Sequence, residues 1–172
     1  MAAGATYEPI TSTTLTTPTS TLTFSSISGA YTDLVLIMNA GQTSPSINST
    51  RVRVGNGSVD TGSNYSQTVL AGNGTSAIST RQSSISYIDL DYYAAPGISG
   101  DLNIIIASFM NYSNTTTNKT ILHRAGKATN GTDAIVSLWR STAAINTIQL
   151  FTATSNTWTT GSTFTLYGIA AA

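Results

Sequence analysis

The side chains that could do acid-base or nucleophilic chemistry are few, and the first of them is the one histidine, His123. A Ser-His-Asp hydrolase needs such a base beside a nucleophile. Serines are abundant, but the Gly-x-Ser-x-Gly motif of a nucleophile elbow is absent. His123 falls inside a predicted strand next to Arg124, as a histidine on an ordinary strand face does. We therefore predict no catalytic residue and a protein that is not an enzyme.

Three carboxylates are the second candidate. Asp89 and Asp91 share one face of a predicted strand, and Asp101 follows after a Pro-Gly turn. If they converged they could hold a hard cation such as calcium, and paired carboxylates also serve glycosidases. The sequence Tyr-Ile-Asp-Leu-Asp-Tyr is equally typical of a half-exposed strand. They remain weak metal candidates, and a glycan depolymerase is an enzymatic alternative that depends on them alone.

The absence of cysteine excludes other chemistry. With no cysteine there are no disulfides, no thiolate metal sites and no cysteine nucleophiles. A single histidine also excludes a soft-metal site. We predict no cofactor.

Basic and aromatic side chains are the remaining candidates for contact. Arg51 and Arg53 form a small basic stripe that either solvates a strand face or pairs with acidic residues of a neighbouring subunit. Tyr92, Tyr93 and Trp158 lie near predicted turns. There they could stack on sugar rings, anchor an interface or cap the ends of the core.

The charge of the chain is low for a protein of 172 residues. Only 8% of residues are charged and the formal net charge is zero, whereas soluble domains carry about 25%. Copies therefore repel one another weakly, which favours association. No field is present to hold nucleic acid or a membrane surface. Met1 to Ser20 lack the features of a signal peptide, so we expect synthesis in the cytoplasm without export by a signal peptide.

The N-terminal stretch, residues 1–21, is small, polar and interrupted by Pro9 and Pro18. Proline fixes φ and removes a backbone donor, which suits a chain lying along a partner. We predict an extended arm, followed by one domain over residues 22–172. The side chains expected to contact a partner are Tyr7, Ile10, Leu15 and Pro18, together with Arg51 and Arg53.

Alternating apolar and polar positions predict short strands through the rest of the chain, with turns every 8 to 12 residues or so. Asn56-Gly57 and Asn73-Gly74 are hairpin turn signals. The first is expected to join Arg51–Val54 to a strand over Tyr65–Leu70. The other predicted strands are Asp33–Asn39, Ser84–Tyr93, Leu102–Met110, Thr120–Arg124, Ala134–Arg140, Ile145–Phe151 and Ser162–Ile169. The pattern predicts an all-β fold, an antiparallel β-sandwich of jelly-roll-like type.

Two stretches carry a family resemblance: Phe24-Ser-Ser-Ile-Ser-Gly-Ala-Tyr-Thr-Asp-Leu34 and Gly161-Ser-Thr-Phe-Thr-Leu-Tyr-Gly-Ile169. With Asn64-Tyr65-Ser66 and Ile145-Asn-Thr-Ile-Gln-Leu150, the layout resembles small β-rich virion proteins of tailed bacteriophages, both capsid cement or decoration proteins and tail or fibre proteins. The resemblance implies a jelly-roll-like or sandwich domain, commonly a homotrimer, on the outer surface of a particle. It offers no catalytic residue to transfer.

The expected function is therefore that of a capsid cement protein, which stabilises the head through many weak contacts with the major capsid protein or other virion proteins. The alternative is a receptor-binding tail fibre, spike or head-fibre module in which Tyr92, Tyr93 and Trp158 contact host glycans.

Overall fold

A computed structural model describes residues 6–44, 49–98 and 100–170. In these ranges the regular elements are all β-strands, which confirms the all-β prediction. The strands, numbered in chain order, are β1 Tyr7–Thr14, β2 Thr21–Phe24, β3 Asp33–Ala40, β4 Thr50–Asn56, β5 Ser58–Val59, β6 Tyr65–Gly72, β7 Ala77–Ile85, β8 Ile88–Asp89, β9 Asn103–Phe109, β10 Lys119–Lys127, β11 Gly131–Trp139, β12 Thr147–Thr152 and β13 Thr163–Ile169.

The strands form two antiparallel sheets. The long sheet has eight strands in the order β1-β13-β3-β9-β10-β11-β6-β7. The short sheet has the order β2-β12-β4-β5, and β8 also pairs with β4. Every strand pairing in both sheets is antiparallel.

The core lies between the two sheets and explains why these segments are strands. Alternate residues point to opposite faces of a strand, so one parity is buried. On β9 the buried parity is Ile105, Ala107 and Phe109, and on β12 of the short sheet Ile148 and Leu150 belong to the same apolar cluster. The prediction of an antiparallel β-sandwich is confirmed, whereas the strand order does not confirm a jelly-roll-like connection.

Two predicted features of the long sheet are found as expected. The apolar segment Leu102–Met110 contains β9, which lies centrally between β3 and β10. Asn73-Gly74 forms the turn between β6 and β7, where Gly74 has a φ of 87°. This left-handed conformation favours glycine, which is why the dipeptide is a reliable turn signal.

The predicted hairpin between Arg51–Val54 and Tyr65–Leu70 is wrong. The turn at Gly57, with a φ of 80°, returns β4 onto the two-residue strand β5. The chain then crosses to the other sheet, where β6 pairs with β11 and β7. The turn signal was correct, but it does not specify how long the returning strand is.

The single strand predicted over Ser84–Tyr93 is also wrong. β7 ends at Ile85, and only Ile88–Asp89 pairs again, with β4 of the short sheet. Ser84 has a φ of 55°, which breaks the extended conformation at this point. The segment therefore carries the chain from one sheet to the other.

The predicted N-terminal arm is not found in the part of residues 1–21 that is described. Tyr7–Thr14 forms β1, an edge strand of the long sheet that pairs with β13. Leu15 then enters the core with 7% of its surface exposed. The low apolar content that suggested an arm is that of an edge strand, which has few side chains to bury. The sandwich therefore begins before residue 22.

Candidate functional site

The three candidate carboxylates do not converge. Asp89 forms an ion pair with Arg51 (2.9 Å), and Asp101 forms one with Lys127 (3.3 Å). Asp91 is fully buried and accepts a hydrogen bond from the amide of Thr50 (3.0 Å). In the ranges that the structure describes, no three His, Cys, Asp or Glu side chains group as metal ligands would. The suggested cation site and the paired-carboxylate site are therefore not formed.

A buried carboxylate that the sequence analysis missed lies close to Asp91. Asp133 on β11 accepts hydrogen bonds from the amides of Tyr92 (2.7 Å), Tyr93 (3.0 Å) and Ala94 (3.0 Å). It anchors the segment that leaves β8. It shares the buried parity of β11 with Ile135 and Trp139, but Val136 and Leu138 make the opposite parity apolar too, so the sequence alone gives no signal for its burial.

Asp91 has an unusual acidity for a carboxyl group. Its pKa is raised from 3.8 to about 7, chiefly by burial; the hydrogen bond from the Thr50 amide partly offsets this rise, and the negative charge of Asp133 adds to it. The side chain does not line an open cleft, because its exposed fraction is 0%. We interpret the shift as a property of the core and not as a sign of catalysis.

His123 is buried as well, on the inner face of β10. Its Nδ1 lies 3.3 Å from the carbonyl oxygen of Leu90, and its Nε2 lies 3.0 Å from the hydroxyl of Ser137. Burial lowers the pKa of His123 to about 4, so the ring is neutral near pH 7. The contact has the length of a nucleophile-base pair, but Ser137 is 2% and His123 1% exposed. No substrate can reach them in this conformation.

Arg51 and Arg53 interact within their own chain. The Arg51 guanidinium lies 3.8 Å from the centroid of the Tyr87 ring, in addition to its ion pair with Asp89. Arg53 stacks on Phe151 (4.6 Å) and donates to the carbonyl oxygen of Ser86 (2.9 Å). The predicted pairing with a neighbouring subunit is not needed to satisfy either side chain.

The predicted aromatic contacts separate into two groups. Trp158 is completely buried and packs edge-on against Phe164, with 4.9 Å between the ring centroids, so a glycan contact is wrong for this residue. Tyr92 and Tyr93 form an edge-to-face pair with centroids 5.1 Å apart, and Tyr92 is exposed. They remain accessible.

The four predicted contact residues near the N terminus also differ in how far they are buried. Leu15 is buried and Ile10 packs partly buried against the core, so both are structural and the prediction is wrong for Leu15. Tyr7 and Pro18 are exposed.

The accessible apolar surface lies on the outer face of the long sheet, the face turned away from the short sheet. On the central strands β3, β9, β10, β11 and β6, the residues that point to this face lie side by side in three rows, each row with one residue from every strand. In that strand order, the pairing register gives the rows Val35, Ser108, Leu122, Val136 and Thr68; Ile37, Ile106, Arg124, Ala134 and Leu70; and Asn39, Ile104, Gly126, Thr132 and Gly72.

Large apolar side chains on this outer face are open to solvent. Leu70 is 60%, Leu122 54%, Ile104 46% and Val136 45% exposed. Leu122 and Val136 are directly paired across β10 and β11, so they form one contiguous patch. A half-exposed sheet normally places polar residues on its solvent side, and large apolar patches mark contact surfaces.

Charge in these three rows and the neighbouring part of β7 is sparse and positive, and the one acidic residue on the same parity of β3 is Asp33 at its start. Arg124 lies in the second row, and Arg81 lies on the edge strand β7 opposite Thr68. Neither forms an ion pair with another described residue. A surface that docks here must be apolar or carry a carboxylate that meets these guanidinium groups.

One end of the outer face is concave. Gly126 and Gly72 have no side chains to fill the third row, and the resulting open groove has a volume of about 680 Å³. Its lining includes Asn39, Asn73, Asn130, Leu102, Ile104 and Lys127. Tyr93 lies at the same end of the long sheet but on its inner side, where its side chain packs against Val69, Ala71 and Ile135.

Comparisons with known protein families, with curated proteins and with solved structures found no match to this chain. In the described ranges, no helix is long and apolar enough to cross a membrane. A functional assignment therefore depends on the physical features of the sandwich itself.

Proposed function

We propose that this protein is a structural component of a phage virion that docks onto neighbouring proteins through the outer face of its long sheet. The specific form proposed is a capsid cement or decoration protein on the outside of the head, with a structural and not an enzymatic role. The observation that supports docking is the contiguous, solvent-exposed apolar patch around Leu122 and Val136.

The size of the outer face is adequate for a stable interface. Eight strands spaced about 4.8 Å apart, each contributing about seven residues at about 3.3 Å, cover roughly 900 Å². A standard protein-protein interface buries about 800 Å² on each partner. Burying apolar surface contributes about 25 cal/mol per Å². A partner that covers only part of the outer face would therefore still gain binding free energy.

The low charge of the whole chain supports the same proposal. With 8% charged residues and no net charge, copies can be placed side by side at little electrostatic cost. A cement protein binds a shell at many equivalent points, so modest individual contacts add up through multivalency. The virion context and the homotrimer derive from the resemblance of Phe24–Leu34 and Gly161–Ile169 to phage structural proteins.

Quantitative mass spectrometry of purified particles of the encoding phage tests the location. We expect a copy number on the order of hundreds per particle, as repeated attachment to a shell requires. Absence from the particles would overturn the proposal.

Substitution in the patch tests the surface. A Leu122→Glu, Val136→Glu double variant should lose at least about tenfold in affinity for particles stripped of the protein, because two carboxylates would be desolvated in the contact. Thr154→Glu and Ser155→Glu, at exposed positions after β12 of the short sheet, form the matched control and should bind as the unmodified chain does. Equal loss in both variants would contradict docking through the outer face.

A second candidate function is a receptor-binding tail fibre, spike or head-fibre module. The observations that favour it are the exposed ring of Tyr92 and the amide-lined groove at the same end of the long sheet, since aromatic rings and asparagine side chains recognise sugars by stacking and hydrogen bonding. A few copies per particle at the tail, with glycan binding that Tyr92→Ala removes, would favour this function over cement.

A further inference from the structure

The two edges of the long sheet are built differently. At the β1 edge the pairing with β13 is interrupted by an irregularity between Pro9 and Thr11, and Glu8 adds a charge. Proline, charge and bulges are the devices by which natural proteins keep sheet edges from pairing with other chains. The β1 edge is therefore protected.

The β7 edge has only one of these devices along most of its length, a single charge. Ala77–Ile85 contains no proline and one charged residue, Arg81. Its pairing with β6 is regular from Ala77 to Ser83, and the irregularity lies at the far end, where Ile85 pairs with Tyr65. Among the described residues, the backbone of β7 forms hydrogen bonds only with β6. One row of its N–H and C=O groups is consequently open.

Few side-chain contacts hold β7 in place. Only Ile78 and Ile85 are partly buried, and Ile78 packs against a small satellite cluster of Val69, Ala71 and Ile135. Gln82 accepts a hydrogen bond from Gln67 (2.7 Å). A nine-residue strand exposed on both faces has much to gain from a strand on its free side, because side chains on neighbouring strands bury one another.

We infer that β7 pairs antiparallel with β7 of a second copy, joining two long sheets edge to edge about a twofold axis. This twofold dimer takes the place of the homotrimer that the resemblance to phage proteins implies. A partner strand needs a free edge of similar length. In the part of the chain that the structure describes, the short sheet ends in strands of four and two residues, and β1 is protected. Only β7 itself fits, and a surface that pairs with its own copy produces a twofold contact.

The charge on β7 selects the register. Direct pairing of Arg81 with Arg81 would place like charges opposite each other, which is unfavourable. Shifting the axis to Thr80 or Gln82 pairs Arg81 with Ser79 or Ser83, both on the same face of the strand. The outer faces of the two copies then form one continuous surface.

Sedimentation velocity of the full chain over a range of concentrations tests this contact. The unmodified chain should dimerise, and a Ser79→Lys, Ser83→Lys variant should raise the dimer Kd at least about tenfold, since in either register an added lysine on each copy faces Arg81 of the other copy. The matched control, Thr115→Lys with Asn118→Lys, adds the same charge in the exposed loop before β10 and should dimerise like the unmodified chain.

Hydrogen exchange supplies a second readout that needs no variant. Amides of residues 77–83 that point away from β6 should exchange several-fold more slowly at high than at low concentration. A chain that stays monomeric with no such slowing would overturn the inference. Association that the β7 lysines leave unchanged, but that Leu122→Glu weakens, would also overturn it while supporting docking through the outer face. The two proposals can thus fail separately.

Discussion

On strand β10, Ile121 and His123 point into the sandwich, whereas Leu122 and Arg124 point out of it. Ile121 is 0% and Leu122 54% exposed, although both are large aliphatic residues. The inner face is packed against the short sheet, while the outer face combines open apolar surface with two arginines, Arg81 and Arg124, that form no ion pair with a described residue. The comparison indicates that apolar residues on one strand can serve two purposes. Those on the inner face form the core, and those on the outer face are available for the proposed docking.

The largest expected difference between the faces is in stability. Ile121→Ala should lower the free energy of unfolding by about 2–5 kcal/mol, because it leaves a cavity in a closed core. Leu122→Ala, one residue along, should cost less than about 1 kcal/mol, because the side chain is already solvated. Urea denaturation of both variants measures the difference. Similar losses in the two would show that the outer face is covered in the folded monomer.

The second expected effect is on the pH dependence of stability, to which two buried residues of the inner face contribute in opposite directions. Asp91 has its pKa raised from 3.8 to about 7, so its contribution to stability falls as pH rises from about 4 to 7. His123 has its pKa lowered from 6.5 to about 4, so its contribution rises as pH rises from about 4 to 6.5. The two slopes oppose each other, and the unmodified chain should vary little over this range on their account.

Replacing either Asp91 or His123 should reveal the pH dependence of stability that the remaining residue causes. Asp91→Asn should make stability increase from pH 4 to 6.5, and His123→Asn should make it decrease from pH 4 to 7, each by up to about 1.4 kcal/mol per pH unit. Denaturation curves at pH 4, 5, 6 and 7 measure this. Parallel pH profiles for the two variants would contradict the opposed titrations.

The smallest expected effect is the difference in stability between variants of two arginines, one on the outer surface of each sheet. Arg51→Ala removes an ion pair with Asp89 and a stacked contact with Tyr87, and should cost about 1–2 kcal/mol. Arg124→Ala on the long sheet should stay within about 0.5 kcal/mol, since no described residue pairs with it. Thermal melting resolves the two. An equal cost would mean that Arg124 has a stabilising contact in its own chain.

Strand alternation allowed much of the fold to be predicted. The apolar positions Ile104 and Ile106 on one parity of β9, and Ile105 and Phe109 on the other, gave a central strand correctly. They could not show which parity faces the core, because both are apolar. The outer face was therefore not recognisable from the sequence as a surface.

Long-range pairing was beyond the sequence for a similar reason. Asn56-Gly57 marks a turn whatever strand comes after it, so the crossing of β6 to the long sheet was missed. Arg51 and Arg53 stack on Tyr87 and Phe151, and these contacts could not be predicted because the aromatic residues are distant in sequence. Asp133 was missed for the same reason as the outer face, because Val136 and Leu138 on one parity of β11 and Ile135 and Trp139 on the other are all apolar.

Thiol labelling tests docking through the outer face most directly. The chain has no cysteine, so Leu122→Cys introduces a single reactive group, and Ser155→Cys places one at an exposed position after β12 of the short sheet as a control. In the free protein both thiols should react rapidly. On the assembled particle we expect labelling of Leu122→Cys to slow at least about tenfold, as burial in an interface requires, while Ser155→Cys keeps its rate. Unchanged labelling of Leu122→Cys on the particle would contradict the proposed interface.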